Sequence, residues 1–210
     1  MHLPIKSRFI EMFGNPVTND MNWKTNKFEE LCVEIGDGLH GTPEYDDFGE
    51  YYFINGNNLE NKSIIIKEDT KKVSKKEFEK NFIDLNDNTV LLSINGTLGK
   101  TGFYNGEPII LGKSACYCKL KSSLNKNFII ELFNSEFWID YMINNSSGST
   151  IKNFGLKAMR EFQMITPPIS LQNQFAKFVD LIDKSKFIIQ NQIRLFEELL
   201  EKKMAEYFGD

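Results

Sequence analysis

Polar residues able to hydrogen-bond a nucleic acid gather in four short stretches of this 210-residue chain. They are Gly36 to Thr42, Asn55-Gly56-Asn57-Asn58, Ser93 to Lys100, and Ser146 to Asn153. Asn, Ser and Thr pair with base edges and phosphate oxygens, and glycine lets backbone amides approach closely. The residues expected to meet DNA are Gly38, His40, Gly41 and Thr42 in the first stretch, and Asn55 and Asn57 in the second. Ser93, Asn95 and Thr97 follow in the third, and Ser149 and Asn153 in the fourth. Lys100, Lys113 and Lys152, with Lys157 near them, are placed to neutralise phosphate. The same composition also suits ordinary surface turns, so residue type alone leaves both readings open.

Other chemistries fit less well. Gly96-Thr97-Leu98-Gly99-Lys100-Thr101 follows a strand pattern as a phosphate-binding P-loop would, but Ile94 stands where that motif requires its first glycine. No helix pattern follows to hold phosphate at its N-terminus. Cys116 and Cys118 point to one face of a strand, and only Cys32, His2 and His40 remain to complete a zinc site, with no paired C-x-x-C spacing. Neither serine nor cysteine has a convincing His/Asp partner. A glycine-rich adenosylmethionine loop and the Asp/Asn-Pro-Pro-aromatic motif of base methyltransferases are both missing. The chain is expected to be no enzyme by itself.

The elements that must carry the loops are legible from pattern. A helix over 3–13 stops at Gly14-Asn15-Pro16, and a globular unit opens with Trp23, Phe28, Leu31 and Val33. Strands are expected at 51–54, 63–66, 89–94, 115–120 and 163–166, with a short helix over 74–81 capped by Ser74. Asn105-Gly106 predicts a hairpin turn, and 127–143 predicts a helix. From Ser170 to Phe208 there is neither Gly nor Pro. Phe175, Ile182, Ile189 and Phe196 recur every seventh residue there, and Phe178, Leu181, Ile188, Leu195, Leu199 and Leu200 widen the stripe. The spacing predicts one rod of roughly 55 Å, entered through Ser170 as N-cap and stopped by Gly209. Such a stripe suits either packing along the rod's own domain or pairing with a second helix. Ser185 and Gln192 interrupt a leucine-zipper seam, so antiparallel packing on another long helix fits better. Met204 to Asp210 also echoes Phe9 to Asn15, as in one period of a longer repeat.

Composition bounds the rest. Apolar residues are 41% and charged residues 26%, which describes a globular chain. Its apolar runs are too short to span a bilayer, and with no signal-peptide pattern a cytoplasmic location is expected. Three cysteines in such a chain are expected as free thiols. The net charge is −4, yet 95–161 carries eight Lys/Arg against five Asp/Glu, so a local basic face sits on an acidic protein. The fold class expected is α+β: a mixed, strand-rich body with one long C-terminal helix.

The order of Asp37-Gly38-Leu39-His40-Gly41-Thr42-Pro43, Phe53-Ile54-Asn55-Gly56-Asn57-Asn58-Leu59, Val73-Ser74, Leu91 to Lys100, Ser147 to Asn153 and Pro167 to Gln174 resembles the specificity subunits of type I restriction–modification systems. The resemblance implies three segments: the tail of a spacer helix (1–16), a target recognition domain that binds double-stranded DNA (17–168), and a spacer and dimerisation helix (169–210). It implies no cofactor of its own, adenosylmethionine, ATP and magnesium belonging to methyltransferase and restriction subunits that the chain positions. It further implies pairing through Phe175, Ile182, Ile189, Phe196 and Leu200, either with a twin or with a second specificity unit. A half-subunit or a fragment of a longer subunit is expected. The alternative is a helix-mediated scaffold that does not read DNA.

Overall fold

A central antiparallel sheet, apolar on both faces, divides the body into three layers. The computed structural model describes residues 3–208, so His2, Gly209 and the last two residues of the terminal echo lie outside the described residues. The chain runs α1 (Leu3–Phe13), β1 (Thr25–Lys27), α2 (Phe28–Leu31), β2 (Cys32–Asp37), β3 (Tyr51–Ile54), β4 (Leu59–Glu60), β5 (Ser63–Ile64), β6 (Lys72–Val73) and α3 (Lys75–Lys80). It continues β7 (Thr89–Ser93), β8 (Thr101–Phe103), β9 (Ile109–Leu111), β10 (Ala115–Leu120), α4 (Lys126–Phe133), α5 (Glu136–Asn144), β11 (Ser146–Ser147), β12 (Asn153–Phe154), α6 (Leu156–Glu161), β13 (Gln163–Ile165) and α7 (Ile169–Phe208). This is the α+β fold expected.

The four-stranded sheet has the order β2-β10-β7-β8, and a three-stranded sheet β6-β3-β9 lies against one of its faces. Alternate residues of β7 and β10 face opposite ways. Val90, Leu92, Cys116 and Cys118 enter the larger core among the helices, whereas Leu91, Ala115 and Tyr117 pack with Ile54, Ile109 and Leu111 of the second sheet. Burial on both faces is why Val90-Leu91-Leu92 is apolar without alternation. Cys116 and Cys118 do share a face, but their strand is fully rather than half buried, and all three cysteines are free.

The larger core is aromatic. Phe175 at the root of α7 meets Phe9 and Phe13 of α1 edge-on, with ring centroids 5.5 and 5.3 Å apart. Phe128 of α4 stacks on Phe9. The root is also fixed by a polar anchor. Gln172 is 1% exposed; it accepts from the Asn125 N–H at 2.9 Å and donates to the Pro167 and Ser123 carbonyls at 2.8 and 3.2 Å. Every hydrogen bond such a buried amide needs to avoid a desolvation cost is in place.

Four expectations are corrected. The 127–143 helix is two helices, because the Ser135 hydroxyl accepts from the Trp138 N–H and starts a new one. The Asn105-Gly106 turn forms no hairpin: β8 pairs with β7, whereas β9 crosses to pair in parallel with β3. Helix α7 begins at Ile169, its first carbonyl acceptor being Pro168 rather than Ser170. Val33 points outward, 70% exposed. The packing of the rod along its own body ends early. Every apolar side chain of α7 from Phe187 to Tyr207 is exposed. No described helix is long and apolar enough to cross a membrane.

Candidate nucleic-acid interface

The four polar loops meet around one turn, Gly112-Lys113-Ser114, between β9 and β10. The first loop docks by backbone: Leu39 N–H donates to the Leu111 carbonyl at 2.7 Å and Lys113 N–H to the Leu39 carbonyl at 3.0 Å. Gly38 is required there, since a Cβ would run into that Leu111 carbonyl. The second loop is held by Ser114, whose hydroxyl accepts from Gly56 N–H and donates to Asn55 Oδ1, both at 2.9 Å. Gly112 leaves room for that Asn55 amide, which a Cβ would strike. Asn58 closes the same loop, its Oδ1 accepting from the Asn55 N–H at 3.1 Å.

The third loop joins through Ile94 N–H to the Ser114 carbonyl at 3.0 Å, and the fourth joins the third. Gly96 N–H donates to the Lys152 carbonyl at 3.0 Å, Phe154 N–H to the Ile94 carbonyl at 2.8 Å, and Asn95 bridges Asn153. One rim results, its loops tied to one another by paired backbone groups. At its centre lies a hollow of about 320 Å³ lined by Asn55, Asn57, Asn95, Gly96, Thr97 and Ser114. Those groups are amides, hydroxyls and backbone, the donors and acceptors that read base edges and bind phosphate.

His40, Gly41, Thr42, Asn57, Thr97, Lys113, Ser149 and Asn153 are exposed around the rim, and Asn55, Asn95 and Lys152 are half-buried. Two expected contacts are placed elsewhere. Ser93 is fully buried; its hydroxyl donates to the Thr97 carbonyl at 2.7 Å and accepts from the Lys100 N–H at 2.8 Å, so it shapes the third loop from within. Lys100 lines a different space, a crevice of about 680 Å³ between the body and α7 that also takes in Lys62, Glu131 and Asp183. The P-loop look-alike is thus a tight connection between antiparallel strands. Gly38 is buried and acts through backbone fit.

Ser114 and Gly112, which hold the loops together, were missed by sequence reasoning. The only signal was a small-polar break, Gly-Lys-Ser, between two apolar strands.

Burial pushes the Cys32 thiol up, and the hydrogen bond with Cys116 together with burial does the same for Cys118, so both are protonated core groups. His40 Nε2 lies 2.8 Å from Asp37 Oδ2 on the open surface. Among the described residues no group of three His, Cys, Asp or Glu is gathered to hold a metal ion. Glu34 is held below the usual carboxylate range by hydrogen bonds from Tyr117 (2.6 Å) and Lys119.

A family model described as the type I restriction modification DNA specificity domain matches residues 21–195. Among solved structures, the type-I restriction-modification system S subunit from M. genitalium is similar with a TM-score of 0.56 and 16% identity, over 91% of this chain and 48% of that one. A chain from a structure on complex assembly and conformational transition of the type I R-M system gives 0.65 and 17%, over 99% and 52%. The HsdS subunit from Thermoanaerobacter tengcongensis gives 0.62 and 15%, over 90% and 45%. At these identities the likeness is one of fold, and the chain spans about half the length of the structures it matches. No curated protein matches it. With the family model covering most of its length, the chain belongs to the family of type I restriction-modification DNA specificity domains.

Proposed function

We propose that this chain reads one half-site of double-stranded DNA in the cytoplasm and carries no catalysis itself. The observation that carries the reading is the joining of four polar loops around Gly112-Lys113-Ser114, three directly and the fourth through the third, with Asn55, Asn57, Asn95 and Thr97 around one hollow. Base edges meet those side chains, and Lys113 and Lys152 with Ser149 and Asn153 take adjoining phosphates. Residues 17–168 form the recognition domain, 1–16 the end of a spacer helix and 169–210 the spacer, with Phe9 and Phe13 of α1 packed on the root of α7. Methyltransferase and restriction subunits, with their adenosylmethionine, ATP and magnesium, supply the chemistry.

The exposed stripe of α7 pairs with the same helix of a twin or of a second specificity unit, using Ile189, Phe196 and Leu200. Phe175 and Ile182, which the heptad spacing assigns to the same seam, pack against the chain's own body. A twin would demand a palindromic, bipartite target, since two-fold protein symmetry is mirrored in the site. That same stripe favours a second reading, a scaffold that pairs helices without reading DNA.

Single-molecule sequencing of DNA from cells co-expressing the chain with its methyltransferase subunit separates the two. Adenine methylation at a palindromic bipartite motif supports the homodimeric reader, and an asymmetric motif points to a second recognition unit. No methylated motif from an assembled complex leaves the scaffold.

A further inference from the structure

Lys62 stands in a left-handed backbone conformation, φ 68°, next to Asn61 at φ 50°. The two residues form the turn of the β4–β5 hairpin, where Leu59 pairs with Ile64 and Glu60 with Ser63. Left-handed lysine costs energy relative to glycine, and here it aims one ammonium at two carboxylates on different helices. Lys62 Nζ lies 2.7 Å from Glu131 Oε1 on α4 and 2.8 Å from Asp183 Oδ2 on α7. The Glu131 side chain is 2% exposed and that of Asp183 45%. Burial works against the charge on Lys62, and the two carboxylates outweigh it, holding its pKa above the ordinary lysine value. The hairpin itself is fastened to the central sheet, Phe103 N–H donating to the Lys62 carbonyl at 2.9 Å.

We infer that Lys62 is a positioning residue: it clamps α7 at Asp183 and so sets the direction in which the long helix leaves the recognition body. Two points fix a line. The first is the root, where Gln172 and Phe175 are buried; the second is Asp183, about 16 Å further along the helix. The end at Phe208 lies about 54 Å from Gln172 by the same rise. A displacement of about 1 Å at the clamp therefore becomes about 3 Å at the tip, close to the rise of one base pair. The consequence for DNA rests on the proposed half-site reading: the clamp would hold the gap between two half-sites to a single length.

Asp183→Asn is the informative change, because it leaves Lys62 and the buried Glu131 paired inside the body. Lys62→Met would orphan Glu131, and loss of folding there would be uninformative by itself. Spin labels at Lys76→Cys on α3, whose core cluster is separate from the one that holds the root of α7, and at Glu201→Cys, both exposed positions, report the helix direction by pulsed electron-spin distances. The native thiols are buried and escape labelling, and dilution with unlabelled chain removes distances between copies.

A single narrow distance in the parent and in Asp183→Glu, with a shift or broadening of about 2 Å or more in Asp183→Asn, supports the clamp. The same distribution in all three overturns it. Methylation motifs from the assembled complex form a separate arm: a fixed gap in the parent and mixed gaps in Asp183→Asn extend the clamp to DNA. Absence of any motif in the parent removes the half-site reading and leaves the distance result to decide the clamp.

Discussion

Phe175 and Phe196 stand three heptads apart on one helical stripe, and replacing each by alanine should give opposite results. Phe175 is 0% exposed and wedged between Phe9 and Phe13. Its loss opens a cavity where α1, α4 and α7 join, at a cost of about 3–5 kcal/mol. That is a large part of the roughly 5–15 kcal/mol that holds a domain folded. Phe196 is 71% exposed, so in protein too dilute to pair its loss should change the unfolding free energy read by urea by less than about 0.5 kcal/mol.

Pairing reverses the order. A phenylalanine buries up to about 200 Å², and the portion of Phe196 still open is worth about 3.5 kcal/mol at the usual 25 cal/mol per Å². Alanine keeps part of that contact and partners cover it incompletely, so the expected loss in association is about 2 kcal/mol, near thirty-fold in dissociation constant. Urea unfolding of dilute protein and sedimentation over a concentration series read the two effects separately. Equal destabilisation by both changes in dilute protein would refute the reasoning, since the far half of α7 would then be packing on its own body. An unchanged self-association for Phe196→Ala would show that the stripe is not the pairing surface.

Ser93→Ala leaves the Lys100 N–H and the Thr97 carbonyl without their partner, and should cost about 1–3 kcal/mol; faster hydrogen exchange at the Lys100 amide checks that the third loop has loosened. Lys113→Gln and Lys152→Gln should each lower the slope of log affinity against log salt for duplex DNA by about 0.9, with circular dichroism unchanged. Glu34 has a folded pKa below its unfolded value, so its stabilisation is complete above the ordinary 4.5 and fades as pH falls through the lower folded value. Tyr117→Phe removes the larger cause and should raise the Glu34 midpoint in an NMR titration; an unmoved midpoint would assign the depression to Lys119.

What was legible in the sequence follows the range of the interactions that decide it. The rod shows because its period is local, and the loops show because Gly, Asn and Ser are chosen residue by residue for turns. At Asn105-Gly106 the chain bends, with Gly106 at φ 93°, but the hairpin expected there does not form, because the pairing of β8 with β7 and of β9 with β3 is settled by contacts far along the chain. Apolar periodicity ran unbroken from Asn127 to Ile143 and hid the boundary that Ser135, a good N-cap followed by Glu136, was marking. Ser93 has the right chemistry for DNA and the wrong place, because its loop curls back over it. Lys62, Glu131 and Asp183 come from three distant segments, and no spacing rule could have joined them.

The rim's internal hydrogen bonds bear on affinity as well as on fold. A side chain that meets DNA from a mobile loop loses about 0.5–1.5 kcal/mol in ordering. Asn55 is already held through Ser114, and the backbones of Gly96 and Asn95 are tied to Lys152 and Asn153. Much of that ordering is complete before DNA arrives, so on the proposed reading Ser114→Ala should weaken binding with Asn55, Asn57, Asn95 and Thr97 all retained. The two free hydroxyl bonds it breaks, to Gly56 and Asn55, release the second loop alone. Specificity at the bases read by Asn55 and Asn57 should therefore relax while the salt slope, set by Lys113 and Lys152, stays where it was. A loss of slope with specificity intact would place the second loop on the phosphates and not on the bases.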